Sequence, residues 1–128
     1  MIAVDTNVVV RFLTADDPVQ ARKSRALFRD NEVWLSRTVI LETEWVLRGA
    51  FDLNRAAVNK ALISLISMEG VEVEDHAMIE EALRLHELDW DFADALHVLT
   101  CPSETKTFYS FDKRLIKKRL ASLQFQAS

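Results

Sequence analysis

Two stretches decide the fold: IAVDTNVVVRFL at residues 2–13 and TFYSFD at residues 107–112. Each begins as a short apolar or β-prone run and stops at an acid. Ile2-Ala3-Val4 ends in Asp5, and Thr107 to Phe111 ends in Asp112. Both acids are therefore expected just past a strand. In open parallel sheets the crevice beyond the carboxyl ends of the strands is where ligands bind, so two strands distant in sequence can deliver acids to one place.

Outward from these strands, the pattern predicts a strand at 2–4, helices near 7–14 and 17–30, and a strand at 32–35. Helices at 38–50 and 55–69 and a strand at 71–74 follow. Helices near 76–88 and 91–100, a strand at 107–111, a helix at 112–119 and a last strand at 122–126 complete the chain. Helix pairs separate most strands, which requires crossovers and therefore a mainly parallel sheet covered on both faces. With 128 residues and 49% hydrophobic content, the chain suits a single domain over 1–128.

Two further acids lie on expected helices. In RTVILETEWVLRGAF (37–51) the apolar stripe reads Val39, Ile40, Val46, Leu47 and Ala50. Glu42 and Glu44 flank it about 160° apart, so the pattern places them toward different surroundings without choosing between them. Asp91-Phe-Ala-Asp94 reads as a helix start in which Asp91 is the N-cap. Asp94 falls one turn in, beside Ala95, Val98 and Leu99, where an unpartnered carboxylate is partly desolvated and disfavoured. Gathered together, Asp5, Glu42, Asp94 and Asp112 would repel one another until a hard divalent cation bound them, and such a cation equips a site for phosphodiester cleavage.

The ordered segments DTNVVVRFL, LETEWVLR, DFADALH and SFDKRL resemble those of PIN-domain ribonucleases, especially the VapC-type toxins of prokaryotic toxin-antitoxin modules. The resemblance covers essentially the whole chain and implies a PIN-like three-layer α/β/α sandwich with a mainly parallel central sheet. By position, Asp5, Glu42, Asp94 and Asp112 match the family's acidic quartet, with Asp5, Asp94 and Asp112 as metal ligands. Asn7 and Ser110 match supporting polar residues, Ser110 standing where Thr is usual. The second acid precedes the Trp-Val-Leu element by three residues, which selects Glu42 and leaves Glu44 as a surface residue. Implied with it are Mg²⁺ or Mn²⁺ as cofactor, an RNA substrate, a VapB-like antitoxin partner and a homodimer. Trp45, Phe51 and Phe12 are the apolar side chains expected to meet a partner.

The net charge of −4 argues against a nucleic-acid partner in sum, but distribution matters more. Lys113, Arg114, Lys117, Lys118 and Arg119 follow Asp112 directly, and Lys113, Arg114 and Lys117 are candidates for RNA contact. Arg22, Lys23, Arg25 and Arg29 read as a solvated helix face. Arg11 and Arg48 are further candidates whose direction the sequence does not give. The lone Cys101 excludes an internal disulfide, and the three His lack zinc-protease spacing. Apolar runs are shorter than a membrane span, and Asp5 interrupts the start too early for a secretory leader, so a cytoplasmic location is expected. Two other classes fit less well. A receiver-like signalling module needs paired early acids, and a dehalogenase-like phosphatase needs a second Asp where Asn7 stands. A PIN fold kept for binding without turnover is the alternative reading.

Overall fold

The computed structural model describes residues 1–120 and 123–127. Strand β1 (Ile2–Ala3) leads into helices α1 (Thr6–Thr14) and α2 (Pro18–Asp30), and β2 (Val33–Leu35) into α3 (Arg37–Gly49) and α4 (Arg55–Ile66). Strand β3 (Val71–Val73) is followed by α5 (His76–Glu87) and α6 (Phe92–Leu99). Strand β4 (Thr107–Ser110), a 3₁₀ turn (Leu115–Lys117) and β5 (Gln124–Ala127) close the described chain.

Helix starts are fixed by side chains that satisfy free backbone donors. The Asp17 carboxylate accepts from the Val19 and Gln20 amides, with Pro18 at the first helical position, where its missing N–H costs nothing. Ser36 accepts from Val39, and Asn54 from Ala57. These caps end each preceding loop and set the direction of the helix.

Each pair of these strands is parallel, in one three-stranded and one two-stranded sheet, and Leu120 and Leu123 form an isolated antiparallel bridge outside them. Ile2 pairs with Val33 and Val33 with Val71, giving the order β1-β2-β3, while Thr107 pairs with Gln124 to join β4 and β5. Parallel neighbours need long crossovers, and the helix pairs α1–α2 and α3–α4 supply them. Val33 and Leu35 are fully buried, as expected of a strand covered on both faces. The buried side chains form one cluster reaching from Val9 to Leu115, with Ile40 and Leu47 of α3, Leu62 of α4, Leu83 of α5 and Phe92 of α6 inside it. Each such side chain removed from water contributes about 1.5–3 kcal/mol. The result is the expected three-layer α/β/α PIN-like fold.

Three expectations need correction. The helix read at 112–119 is only the 3₁₀ turn at Leu115–Lys117: the Asp112 carboxylate accepts from the Arg114 and Leu115 amides as an N-cap does, but the Lys118 amide bonds back to the Leu115 carbonyl and the backbone turns extended at Lys118, ψ 164°, which ends the helix after one turn. Helix α4 stops at Ile66 rather than 69, and the chain turns through Gly70 at φ 84°, a left-handed conformation that suits glycine. The last strand begins at Gln124, and residue 122 of the expected 122–126 lies outside the described residues.

Candidate active site

On α3 the buried stripe is Ile40, Thr43, Glu44 and Leu47, at helical spacing i, i+3, i+4, i+7. The sequence pattern had centred it elsewhere, and Ala50 is exposed. Glu44 is thus no surface residue. Its carboxylate, 2% exposed, takes a 2.8 Å hydrogen bond from Arg48 Nε one turn on. Pairing with Arg48 is what allows the charge inside. Behind Glu44 lies His86, whose Nε2 is 4.0 Å from the carboxylate and whose Nδ1 is 2.6 Å from Asn59 Oδ1. Burial pushes the His86 imidazole below its ordinary value, with Arg55 acting in the same direction. The neutral imidazole is thus favoured, and its 2.6 Å contact with Asn59 holds it inside the fold.

The opposite, outward face of α3 carries Thr38, Leu41, Glu42, Trp45 and Arg48. It lines a cavity of about 570 Å³, completed by Thr6 of α1 and Ala93 of α6. Glu44 borders the same cavity. Glu42 and Glu44 therefore share one space despite their angular separation, because the cavity wraps around the helix edge and both side chains are long.

A second cavity, of about 280 Å³, holds Asp91, Asp94 and Asp112 with Arg48, Arg114 and Lys118 on its walls. The contact between α3 and α6 brings Arg48 to it, so Arg48 belongs to both cavities. Asp94 is half-buried, and burial first, then the charges of Asp91 and Asp112, pushes its carboxyl above the usual range. Asp91 is the expected N-cap and more. It caps α6 by accepting from the Asp94 amide at 3.0 Å, and it stands in the acidic cavity. Asp112 is held in a tight turn: its amide donates to Ser110 Oγ at 2.9 Å, and its carboxylate accepts from Arg114 N at 2.8 Å.

Asp5 and Glu42 are not on the walls of that acidic cavity. Asp5 caps α1 by accepting from the Val8 amide at 3.2 Å and lines neither cavity, although the next residue, Thr6, lines the larger one. Asn7 is exposed on the first turn of α1. Among the described residues no group of three His, Cys, Asp or Glu side chains is arranged to hold a metal ion. That geometry is an open one. The donor chemistry nevertheless suits Mg²⁺ or Mn²⁺, which take oxygen ligands, and Mg²⁺ is habitually held by one or two carboxylates plus substrate phosphates rather than by a closed protein cage. A cation between Asp94 and Asp112 would also relieve the repulsion that raises the Asp94 carboxyl.

Of the basic candidates, Arg114 lines the acidic cavity and pairs with Asp89 at 3.1 Å, while Lys113 and Lys117 are exposed outside the lining. Lys118 is the better-placed lysine. Its Nζ donates to the Asp89 carbonyl at 2.9 Å. Asp89 itself, at φ 73°, also pairs with Arg55, tying the segment after β4 to the α5–α6 turn. Arg11 is engaged by Asp16 and Gln20, and Arg22, Lys23 and Arg25 are exposed on α2. Phe12 stacks on Phe28 with ring centroids 4.1 Å apart, and Phe51 packs against the core. Trp45 alone of the three aromatics expected to meet a partner is widely exposed, at 63%.

No described helix is long and apolar enough to cross a membrane. The sequence model of the PIN domain matches residues 2–120, and no curated protein matches the chain. PIN domains are generally nucleases and typically depend on divalent metals. With strands, crossovers and chain order all in agreement with that match, the chain belongs to the PIN-domain family.

Proposed function

We propose that this protein is a metal-dependent endoribonuclease, the toxin of a VapBC-type toxin-antitoxin pair, acting in the cytoplasm on single-stranded or loop RNA. The observation that carries the reading is Asp94, half-buried in one cavity with Asp91 and Asp112 and bordered by Arg48 and Arg114. A carboxylate so disfavoured persists where its charge is used. Asp94 and Asp112 would hold Mg²⁺ or Mn²⁺, with Asp5 as the third ligand and Glu42 orienting water from the neighbouring cavity. When bound, the ion supplies an activated water and stabilises charge on the attacked phosphate. Ser110 keeps Asp112 in its turn, and Asn7 supports the α1 end of the site. Arg114 and Lys118 at the cavity wall, with Lys113 and Lys117 beyond it, attract the phosphate backbone.

An unregulated ribonuclease harms its host, which is the reason to expect an antitoxin and, with it, a homodimeric toxin. An inhibitory segment laid near α1 and α3 and directing a basic side chain at the acids would displace metal or substrate. The test is cleavage of a loop-containing RNA in Mg²⁺ or Mn²⁺, abolished by EDTA. Undiminished cleavage in EDTA sinks the metal reading. One observation favours the alternative, a PIN fold kept for binding or signalling: no described trio of acids forms a metal cage. Full biological function of variants with Asp94 and Asp112 changed to Asn would establish it.

A further inference from the structure

The larger cavity has features that holding a metal does not require. Thr38, Leu41, Glu42, Trp45 and Arg48 fall on one face of α3, and the cavity they form, about 570 Å³, lies within the range of small-molecule sites. Its lining is mainly apolar, with an indole 63% exposed to solvent. Core packing does not account for that ring. Arg48 stands on the wall common to this cavity and the acidic one, and the buried Glu44 fixes its guanidinium through Nε at 2.8 Å. About half of the Arg48 side chain stays exposed, so a pinned cation with N–H groups to spare separates an apolar slot from a carboxylate pocket.

We propose that the larger cavity takes the nucleotide next to the cleaved phosphate, its base stacking on Trp45 and its phosphate meeting Arg48. The proposal rests on the nuclease reading and adds to it where the substrate lies. Single-stranded nucleic acid is bound by this combination of aromatic platform and cation, and stacking is open to every base because every base has a π-face. Thr6, Thr38 and Glu42 at the cavity edge offer hydroxyl and carboxylate partners to the base edges. A base in a duplex cannot enter the slot, so the pocket selects unpaired RNA.

The test uses the full chain in EDTA at low salt, with a single-stranded oligoribonucleotide carrying one 2-aminopurine. Binding by wild type should quench the 2-aminopurine. Trp45→Ala should abolish the quenching and weaken binding about tenfold, Trp45→Phe should retain part of both, and the melting temperature of each should match wild type. Arg48→Lys should weaken binding less than Arg48→Met, which should also lower the salt slope by about 0.7. Absence of quenching with wild type, or binding unaffected by Trp45→Ala and Arg48→Met, overturns the proposal. So does a Trp45→Ala variant that binds RNA fully and loses only a protein partner. Cleavage by wild type in Mn²⁺ is scored separately. Normal cleavage with Trp45-independent binding defeats the subsite alone, whereas Trp45-dependent quenching without any cleavage defeats the nuclease reading and upholds base binding.

Discussion

Replacing Arg48 by Met should destabilise the protein more than replacing Glu44 by Gln on the other side of the same pair. Glu44 is 2% exposed and its carboxylate takes its hydrogen bonds from Arg48, at 2.8 and 3.5 Å. Arg48→Met leaves that charge buried without its partner. Removing one member of a fully buried pair costs roughly 3–5 kcal/mol, and a surface pair is worth roughly 0–1 kcal/mol. With the Arg48 side chain 48% exposed, the penalty falls between these limits, about 2 kcal/mol. At about 2.1 cal/mol/K per residue of unfolding entropy, this lowers the melting temperature by roughly 7 °C for a chain of this length. Glu44→Gln should cost less, about 1 kcal/mol, because Arg48 then reaches water and still donates to an amide oxygen. The double variant Glu44→Met, Arg48→Met should recover much of the loss, since no buried charge remains. Urea unfolding with unchanged m reads all three. An Arg48→Met penalty below about 0.5 kcal/mol, or one smaller than that of Glu44→Gln, would refute the reasoning.

Asp94→Asn, in EDTA at neutral pH, should leave the melting temperature unchanged or raise it, because burial and the charges of Asp91 and Asp112 oppose the native carboxylate; the rise given by Mn²⁺ should shrink in the same variant. A full metal response there would place the ion elsewhere. His86 titrates below its ordinary value in the folded state, so its contribution to stability is complete above about pH 6.5 and is lost as pH falls through the folded value. The acid-side slope of stability should therefore include up to one proton, about 1.4 kcal/mol per pH unit, that His86→Gln removes. Expression alone should arrest growth, and co-expression with a small neighbouring gene should restore it and yield a copurifying complex. Harmless expression of an active ribonuclease would end the toxin assignment alone.

Much of the fold was readable because local chemistry and tertiary structure agree. Asp17-Pro18, Ser36 and Asn54 announce helix starts, and IAVD and TFYSF announce strands that the helix pairs force into parallel order. Asp94 was readable as a disfavoured acid because a place one turn into an apolar helix predicts the partial burial that the fold gives it. Glu44 was misread because selecting Glu42 as the second acid by resemblance left Glu44 to the surface, although an Arg four residues on, the favourable Glu-to-Arg order, was a visible signal that the charge had a partner. The early end of the turn after Asp112 was missed because the Lys- and Arg-rich stretch has helix propensity throughout, whereas the backbone turns extended at Lys118, whose ammonium is held by the distant Asp89 carbonyl. That Arg48 joins two cavities depends on the α3–α6 contact, which no local pattern encodes.

The most direct test of metal-dependent cleavage at the Asp94 cavity is the initial rate of RNA hydrolysis in Mn²⁺ by wild type and by Asp94→Asn, with both shown to melt at comparable temperatures. Wild type should cleave and the variant should be slower by about a hundredfold or more, on the scale of losing a group that stabilises the transition state. Equal rates from the two folded proteins would contradict it.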